Sequence, residues 1–280
     1  MATIDTITTR PASGMSAGDT YFETSSDKII VWTGSAWTEL VSDSAPASFA
    51  NAYSVDFDGA NDHMSIADAD IFSLGNGSGT DNAFSISGWF NADSTGTFHI
   101  ATKDSSGNGR EWAFRTISSK LSFFAFGTGG GYIGRQYTTA LSTGQWYHAV
   151  VTYDGSKASS GITLYLNGSA VDNANYAAGA YTAARNSSTL LLIGAVQSNN
   201  TYSNGKIDEV AFFNTELSSS DVTAIYNSGV PADLTSYSPV GWWRMGDNDS
   251  GTGTTVTDQG SGSNDGTLTN GPTFSSSVPS

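Results

Sequence analysis

The amino-acid sequence predicts an all-β fold, a sandwich or barrel built from many short strands. From residue 52 to residue 213, apolar segments of about 5 to 10 residues alternate with clusters of Gly, Ser, Thr, Asn and Asp, which form turns. Aromatic residues make up 12% of the chain, which is enough to fill a hydrophobic core. One segment alone, near the C-terminal end, has a helical period. Together these observations favour a sandwich.

Residues 1–42 are predicted to form a separate small unit. Three short apolar runs lie there between polar turns, a pattern typical of a small antiparallel β meander. These runs are 21–22, 29–32 and 37–40. A piece of this size buries little apolar surface by itself, so we expect it to pack against another chain or against the larger domain. Residues 43–51, small and polar with one Pro, are the predicted linker.

The larger domain, residues 52–280, is predicted to begin with a dense series of strands. The predicted strands are 52–57, 63–68, 83–90, 97–102, 110–115, 121–127, 144–155, 161–168, 189–195 and 206–213. The Gly-rich segment 127–134 lies between two of these signals and is predicted to be a hairpin loop. Short strands at this spacing are typical of an antiparallel sandwich.

The exception to the β pattern is residues 217–229, which predict one short helix. Ser219 or Ser220 can cap its first turn, and Asp221 suits the positive N-terminal end of a helix. Three apolar side chains then share one stripe of the helix surface. Gly229 follows the last of them and is expected to end the helix.

Two adjacent tryptophans, Trp242 and Trp243, follow the predicted helix. Because side chains alternate along a strand, one ring would enter the core and the other would cover the helix or a groove beside the sheet. Rings of this size are costly to leave in water. We therefore expect residues 240–245 to form a strand that closes the sandwich.

Composition excludes several classes of partner. The formal net charge is −15, and the chain has only 11 Lys and Arg residues. These are too few cations to neutralise a run of nucleic-acid phosphates, and the same shortage argues against an anionic membrane surface. Cys is absent, so no disulfide framework exists. The first residues lack the apolar segment of a secretory signal, and no apolar run approaches the ~20 residues that span a bilayer.

Five segments, in chain order, resemble the laminin-G-like branch of the concanavalin A-like jelly rolls. They read SVDFDGANDHMSI, FSISGWF, QWYHAVVTYDG, ITLYLNG and GKIDEVAFFNTELSSSDVTAIYNSG, and they cover roughly residues 50–230. In most members of that family, a segment similar to WWRMGD and GTTVTDQGSGSNDGTLTNGPTF precedes the FDG strand, whereas here it follows. The resemblance implies a sandwich closed from its other end, by circular permutation. Alternatively, this segment begins a truncated neighbouring repeat or completes another subunit.

The jelly-roll resemblance also implies one structural calcium ion. The implied ligands are Asp58, the Gly59 carbonyl, Asp62 and Asp208, with Asp247 and Asp258 as further candidates. In the segment KIDEVAFF, the Asp208 carboxylate has the parity of two apolar side chains and would point into the core. A buried carboxylate needs a partner, and calcium is satisfied by oxygen ligands alone. The alternative is that the FDGAND carboxylates close an Asx turn and that Asp208 accepts main-chain hydrogen bonds.

Patterns for catalysis are weak in this sequence. Glycosidases need two carboxylates at a defined separation, but the Glu residues form no alternating cluster, and Asp208 and Glu209 are adjacent. The three His residues are scattered, and His148, in a strand, is expected to be structural. No nucleotide-binding loop or nucleophile elbow is present. We therefore expect no catalytic residues and no enzymatic activity.

Glycan binding needs exposed rings together with polar side chains. The aromatic residues in or near predicted loops are Trp112, Tyr132, Tyr137, Tyr181 and Tyr202. Core packing or a subunit interface would explain such rings equally well. The sequence therefore gives candidates for a glycan site without choosing among them.

Residues 10–40 resemble a short module of phage tail-fibre and virion proteins. The resemblance implies attachment or oligomerisation, most simply as a homotrimer. The rings that would serve it are Tyr21, Phe22, Trp32 and Trp37. Exposed together, they would make an apolar patch of a kind that soluble monomers seldom carry.

These features favour a phage virion structural protein, a decoration or fibre component that displays the jelly roll for adhesion to host-surface glycans. Its partners would be other virion proteins and identical chains, with no nucleic acid and no membrane insertion, and its place would be the virion surface. The alternative is a non-viral carbohydrate-binding module that is secreted or held at the bacterial cell surface. A polysaccharide depolymerase is the third candidate.

Overall fold

The computed structural model describes residues 5–11, 13–23, 28–39, 49–171 and 173–280. The chain divides into two compact units, Met1–Ala50 and Asn51–Ser280. Most of the predicted linker, residues 43–48, lies outside the described residues. No helix in the described ranges is long and apolar enough to cross a membrane.

The first unit contains a four-stranded sheet. Its strands are β1 (Asp5–Ile7), β2 (Thr20–Glu23), β3 (Lys28–Trp32) and β4 (Trp37–Glu39). Strands β2, β3 and β4 form the antiparallel meander that the sequence predicts. Strand β1 was not predicted, and it adds to the meander in parallel with β2. It has a single apolar residue, so its strand conformation comes from this pairing and leaves little signal in the sequence.

The second unit is a β sandwich with one short helix, which confirms the predicted fold class. Its strands are β5 (Ser54–Asp58), β6 (His63–Ile66), β7 (Phe84–Ala92), β8 (Phe98–Asp104), β9 (Arg110–Ile117), β10 (Lys120–Phe126), β11 (Tyr132–Tyr137), β12 (Tyr147–Tyr153), β13 (Ile162–Leu166), β14 (Ser169–Ala170), β15 (Asn173–Asn175), β16 (Leu191–Ile193), β17 (Ala195–Val196), β18 (Thr201–Tyr202), β19 (Asn204–Phe213), β20 (Gly241–Trp243), β21 (Thr255–Val256), β22 (Gly266–Thr269) and β23 (Thr273–Ser275). Single turns of 3₁₀ helix occur at Asp70–Phe72, Gly107–Gly109, Ser159–Gly161, Asn227–Gly229 and Thr235–Tyr237.

The two sheets of the sandwich are antiparallel throughout. One has nine strands in the order β15-β11-β10-β9-β8-β16-β6-β22-β21. The other has eight, in the order β14-β13-β12-β7-β19-β5-β23, with β20 paired to β19. Strands β17 and β18 form a separate hairpin. Strand β11 begins inside the Gly-rich segment that was predicted to be only a loop.

Alternating side chains fill the space between the two sheets. On β10, Leu121, Phe123 and Ala125 belong to the hydrophobic core, so Ser122 and Phe124 lie on the opposite face of the sheet. We call this opposite face of the nine-stranded sheet the outer face. Because both sheets follow this rule, each has one face that packs the core and one that can carry other functions.

Helix α1 (Ser219–Tyr226) follows the last long strand. Ser218 is its N-cap: the Ser218 hydroxyl accepts a hydrogen bond from the Asp221 main-chain N–H, and the Asp221 carboxylate accepts one from the Ser218 N–H. The cap therefore lies one residue before the predicted position, and it forms a complete capping box. Asn227, in the left-handed conformation, ends the helix two residues before the predicted glycine.

The helix covers a buried histidine on the eight-stranded sheet. The Tyr226 ring stacks on His148, with ring centroids 5.9 Å apart, and also on Trp89, at 5.7 Å. The His148 Nε2 atom is 2.8 Å from the Ser87 hydroxyl. Burial lowers the pKa of His148 to about 3, which keeps the imidazole neutral at ordinary pH. This environment fits the structural role expected from the sequence.

The C-terminal segment contributes strands to both sheets. Strands β20 and β23 join the eight-stranded sheet, whereas β21 and β22 join the nine-stranded sheet. Strand β23 pairs with β5 and β22 pairs with β6, which are the first two strands of this unit. The last segment of the chain therefore closes the sandwich against its beginning.

The two adjacent tryptophans lie on opposite faces of β20. Trp243 is fully buried in the core, and its ring centroid is 5.7 Å from that of Phe72 and 6.0 Å from that of Phe212. Trp242 faces away from the core, where its Nε1–H donates a hydrogen bond to the Glu209 carboxylate. One ring therefore packs between the sheets, and the other secures the segment to the far side of the eight-stranded sheet.

Replacing Trp243 with Ala should destabilise the second unit by about 3–5 kcal/mol, because it leaves a large cavity where the two sheets meet. Denaturant unfolding followed by circular dichroism measures this effect. Tyr176→Ala is the matched control, since the Tyr176 ring is 42% exposed and its loss should cost much less. Equal stability of Trp243→Ala and the unsubstituted protein would contradict closure of the core by the C-terminal segment.

Candidate functional site

An aromatic cluster lies on the outer face of the nine-stranded sheet. Phe124 and Phe126 of β10 point away from the core, and Tyr132 of β11 pairs in register with Phe126. Tyr176 lies beside them and is one of the few large apolar side chains that are exposed. We call these four residues the aromatic patch.

The two tyrosines form the upper layer of the patch. Their rings are stacked, with centroids 6.1 Å apart and an angle of 27° between the planes. The Phe124 ring lies edge-on beneath both, 5.2 Å from the Tyr176 ring and 5.9 Å from the Tyr132 ring. Phe124 itself is only 3% exposed. A buried ring thus supports a partly exposed aromatic surface.

Main-chain pairing positions Tyr176. Its N–H donates a hydrogen bond of 2.9 Å to the Gly134 carbonyl, and Ala178 exchanges two main-chain hydrogen bonds with Tyr132. A Cβ atom on Gly134 would lie 2.4 Å from the Phe123 carbonyl oxygen and 3.0 Å from the Tyr176 carbonyl oxygen. Glycine is therefore required for this edge segment to approach β11 closely.

Two arginines adjoin the lower rings. The Arg110 guanidinium carbon is 3.8 Å from the Phe126 ring centroid, and that of Arg115 is 5.5 Å from the Phe124 centroid. Arg110 forms an ion pair of 3.0 Å with Asp104. Burial lowers the pKa of Arg115. The charge of Asp104 opposes this shift, and the nearby charge of Arg110 adds to it. The outer face therefore combines cations with rings.

Polar side chains complete this face. Gln136 of β11 pairs in register with Ser122 of β10, and its Nε2–H donates a hydrogen bond of 3.0 Å to the Ser122 hydroxyl. Rings that offer a flat apolar surface, beside amide, hydroxyl and guanidinium groups, match a ligand that has both apolar faces and many hydroxyls. This arrangement suits binding.

Of the five rings predicted for a glycan site, Tyr132 alone belongs to the aromatic patch. Trp112 is fully buried, and its Nε1–H donates a hydrogen bond of 2.8 Å to the Phe72 carbonyl. The structure thus corrects its assignment, because β9 directs this side chain into the core. The Tyr181 hydroxyl donates a hydrogen bond of 2.7 Å to Asp81, and burial raises the pKa of Tyr181. The Tyr181 hydroxyl therefore already has a hydrogen-bond partner within the protein.

The remaining two rings lie elsewhere. Tyr137 packs against the hydrophobic core, and Tyr202 lies beside His63 with ring centroids 6.2 Å apart. Sequence reasoning did not select Tyr176, although it is a lone aromatic residue in the small and polar segment 173–180. An isolated ring in such a segment is the signal that could have found it, because nothing local would bury it.

The predicted calcium ligands divide among three places. Asp58 closes an Asx turn: its carboxylate accepts hydrogen bonds from the N–H groups of Ala60 and Asn61, at 2.8 and 3.4 Å. The Asp62 carboxylate accepts one of 3.2 Å from the Asp58 N–H. A Cβ atom on Gly59 would lie 2.8 Å from the Asn204 Cβ, so this turn needs glycine. These contacts match the turn alternative for the loop.

Strand register separates that loop from Asp208. Asp58 pairs with Asn204, four residues before Asp208 on β19, which is about 13 Å along a strand. Asp258 lies in a third place, where its carboxylate accepts hydrogen bonds from the N–H groups of Trp242, Gly260 and Asn264. The structure therefore does not bring together the six residues that the resemblance implied.

A β-bulge changes the predicted direction of Asp208. The pairing of β19 with β7 shifts between Asp208 and Ala211, and Glu209 has a positive φ of 49°. Asp208 therefore pairs with Trp89, while Val210 faces the core. The predicted shared parity of Asp208 and Val210 was wrong, since the bulge inserts one residue between them.

Asp208 is nevertheless fully buried, and both of its carboxylate oxygens lack a hydrogen-bond partner. Burial, followed by the charge of Glu209, raises the pKa of Asp208 well above its usual range. The nearby Asn51 amide, which is also buried, lowers the pKa of Asp208. The two side chains nevertheless form no hydrogen bond with each other. Such a carboxylate must either hold a proton or meet a cation.

Its acidic neighbours already have partners. Glu209 accepts hydrogen bonds from Trp242 and from Arg244, the latter at 3.0 Å, and burial raises the pKa of Glu209 to about 7 against the effect of the arginine. The Asp247 carboxylate accepts hydrogen bonds from the N–H groups of Ala52 and Tyr53, at 2.8 and 2.9 Å. These contacts leave Asp208 as the carboxylate without compensation in this cluster.

Asp208 and Asn51 could contribute to a calcium site. Within the described ranges, no group of three Asp, Glu, His or Cys side chains could hold a metal ion. Calcium also accepts amide and main-chain oxygens as ligands, so the Asp208 carboxylate and the Asn51 amide oxygen are the side chains that would hold it here. The ion would supply the positive charge that this buried carboxylate lacks, and its presence stays a prediction.

The first unit brings three of its four predicted attachment rings together. The ring centroids of Trp32 and Trp37 are 5.3 Å apart, and those of Tyr21 and Trp37 are 5.5 Å apart. All three rings keep part of their surface exposed. The Phe22 side chain lies outside what the structure describes.

Substituting Asp208 with Asn tests whether a cation neutralises this carboxylate. We expect calcium chloride to raise the Tm of the unsubstituted protein, because a ligand that binds the folded state stabilises it, and to leave the Tm of D208N unchanged. In chelator, the unsubstituted protein should lose stability as pH rises above the usual pKa of Asp, since protonated Asp208 favours the folded state. D208N should show a smaller loss, because Asp208 no longer contributes while the raised pKa of Glu209 still does. Thermal unfolding at several pH values measures both effects.

The control for this experiment is Asp58→Asn, which alters the turn carboxylate and should keep the calcium response. Equal melting of the unsubstituted protein in calcium and in chelator would contradict a bound cation. The buried carboxylate would then be neutral through protonation alone.

Comparison with known proteins bears on the fold. A Bacteroides ovatus protein, provisionally described as carbohydrate-binding, is 16% identical; the match covers 95% of this chain and 71% of that one, with a TM-score of 0.56. The carbohydrate-binding module CBM40 of the Ruminococcus gnavus IT-sialidase is 11% identical over 61% of this chain and 96% of that one, with a TM-score of 0.46. A heptameric pentraxin of Limulus polyphemus is 14% identical over 63% and 82%, with a TM-score of 0.45. The likeness to the Bacteroides ovatus protein, at this identity, shows the fold alone.

No curated protein matches the chain. A family model, Laminin_G_3, described as the concanavalin A-like lectin/glucanases superfamily, matches residues 58–223, which is more than half of the chain. This match confirms the resemblance seen in the sequence segments. It includes the strands that carry three of the four residues of the aromatic patch, and Tyr176 beside them. The chain therefore belongs to the concanavalin A-like lectin/glucanases superfamily.

Proposed function

We propose that the second unit is a non-catalytic carbohydrate-binding domain and that its ligand lies on the aromatic patch. The observation that carries this proposal is the stacked pair Tyr132 and Tyr176, partly exposed on a sheet face that also bears Arg115 and Gln136. The apolar face of a sugar ring packs on an aromatic ring, and its hydroxyls exchange hydrogen bonds with amide and guanidinium groups. Membership of a superfamily that includes lectins supports the same function.

A cavity of about 560 Å³ at residues 70–74, 81–84 and 212–214 is another candidate site. Its aromatic side chains are buried, with Phe72 only 1% and Phe84 only 6% exposed. Its Asp81 carboxylate already accepts hydrogen bonds from two tyrosine hydroxyls and one main-chain N–H. The aromatic patch offers accessible rings and is the better glycan site.

The positions of the candidate catalytic groups favour a binding function over a catalytic one. Ser87 and His148 form a serine–histidine pair, but each is only 2% exposed, and Tyr226 covers the imidazole. A substrate could not reach this pair. Glu209 is buried as well, and it is bound by a tryptophan and an arginine. A depolymerase would need an accessible pair of carboxylates.

We further propose that the first unit attaches the domain to a larger assembly. The cluster of Tyr21, Trp32 and Trp37 supports this, because partly exposed rings in a small sheet suit burial against another chain. The resemblance of residues 10–40 to phage tail-fibre modules favours display on a virion, with adhesion to host-surface glycans. Display on a bacterial surface, or secretion, fits the same fold and the same patch equally well.

Replacing Tyr176 with Ala should weaken glycan binding about tenfold, a loss of about 1.4 kcal/mol, because it removes the most exposed ring of the patch. Tyr132→Ala should weaken binding as well. A glycan array with the full chain finds the ligand, and calorimetry then compares the variants.

Tyr202→Ala is the matched control, since this ring lies beside His63 and outside the aromatic patch. Its affinity should equal that of the unsubstituted protein. Undiminished binding by both Tyr176→Ala and Tyr132→Ala would exclude the patch as the site, and an array without any bound glycan would contradict carbohydrate binding altogether.

The full chain should form a homotrimer in solution, and Trp37→Ser should shift it toward the monomer. The reason is that Trp37 contacts both other rings of the cluster, and a polar residue there would remove the centre of the apolar surface. Light scattering or analytical ultracentrifugation gives the mass, with Tyr176→Ser as an exposed-ring control that should stay trimeric. A monomeric unsubstituted chain would contradict self-association through the first unit.

A further inference from the structure

We propose that the aromatic patch selects a carboxylated saccharide and that Arg115 binds the carboxylate. This inference rests on the proposed function and adds the chemical class of the ligand. The charges on the outer face carry it, since an unpaired guanidinium beside an accessible ring surface is a receptor for a sugar that bears a planar anion.

Basic side chains are scarce in this chain, and almost all those described have a partner. Lys103 is paired with Asp68 and Glu111, Arg110 with Asp104, Lys206 with Asp56 and Asp93, and Arg244 with Glu209 and Asp247. Arg10 is paired with Glu23, while Arg135, Lys157 and Arg185 donate to amide or main-chain oxygens. Among the basic side chains that the structure describes, which do not include that of Lys28, the two without a hydrogen bond or ion pair are Arg115 and Lys120.

These two cations share the outer face. Arg115 pairs in register with Ser122, and Lys120 lies two residues before Ser122 on the same strand, about 7 Å away. Both therefore stand on the side of the sheet that carries Phe124. Nearby Asp104 is already neutralised by Arg110, and His99, which pairs with Arg115, is uncharged because burial lowers its pKa to about 3. The face thus keeps two uncompensated positive charges.

The position of Arg115 favours an anionic partner. Its Nε atom is buried without a hydrogen-bond partner, although the rest of the guanidinium borders the Phe124 ring. The terminal N–H groups of the guanidinium are not buried in this way, and they can donate charge-assisted hydrogen bonds to a carboxylate. In a chain of net charge −15, such a site attracts an anion only locally.

A carboxylate on a sugar fits better than a nucleic acid. Two cations can neutralise one or two charges, whereas a phosphate backbone presents a charge at every nucleotide and needs a longer basic track. The stacked tyrosines, which pack on the same Phe124 ring that Arg115 borders, instead offer a flat apolar surface for a sugar ring. The ligand class is therefore a saccharide that contains a uronic or similar carboxylated unit.

The test uses the full chain and pairs of oligosaccharides. Oligogalacturonate, oligoglucuronate and oligomannuronate are each compared with the same oligomer after its carboxylates have been reduced to alcohols. Calorimetry should give at least about tenfold tighter binding for at least one acidic member than for its reduced counterpart, as expected for a charge-assisted bidentate contact. Arg115→Gln should bring both members of that pair within about twofold of each other, and Arg115→Lys should keep part of the preference.

Lys206→Gln is the matched control, because it removes a cation from the eight-stranded sheet and should keep the full preference. The inference is overturned if acidic and reduced members bind equally, or if Arg115→Gln keeps the preference while Tyr176→Ala loses binding. Binding of reduced oligomers alone would leave carbohydrate binding intact and refute only the choice of an acidic ligand. A panel with no binding in any member would overturn the acidic ligand class, and the glycan array then decides separately whether the domain binds carbohydrate.

Discussion

The pairing of the C-terminal strands with the first strands of the sandwich is the constraint on which the rest of the second unit depends. Strand β22 lies on β6 and β23 lies on β5, so each sheet gains its closing strands from the end of the chain. The same segment places Trp243 between the sheets and Trp242 against Glu209. The jelly roll is therefore held by contacts between residues far apart in sequence, and its core is complete only when the C-terminal segment is in place.

With the core closed, the two outer faces of the sandwich carry different features. On the eight-stranded sheet, helix α1 and the C-terminal segment cover Trp89, His148 and Asp208. On the nine-stranded sheet, an edge segment pairs with β11 and leaves Tyr176 exposed above Phe124. The unpartnered charged groups differ as well: the Asp208 carboxylate is buried beside the eight-stranded sheet, and the Arg115 guanidinium borders the Phe124 ring on the nine-stranded sheet. The proposed binding function therefore belongs to the nine-stranded sheet.

Alternation of apolar residues and turn signals was enough to predict the sandwich and the helix, because both depend on local pattern. The bulge at Glu209 was not predictable, since it depends on how β19 pairs with β7. The position of Tyr176 likewise depends on its hydrogen bond to Gly134, 42 residues away in sequence. Trp112 lies in the predicted strand 110–115 and near a predicted loop, and its direction depends on strand pairing, which turns it inward. Local residue patterns thus predict the strands and the helix, whereas the positions of the candidate site residues depend on pairing between strands that are distant in sequence.

A crystal structure of the protein with a bound oligosaccharide would show whether saccharide binds the outer face of the nine-stranded sheet. We expect a sugar ring lying on Tyr132 and Tyr176, with a carboxylate of an acidic ligand within hydrogen-bond distance of Arg115. Density for the saccharide in the cavity at residues 70–74 and 212–214, with the aromatic patch empty, would contradict it.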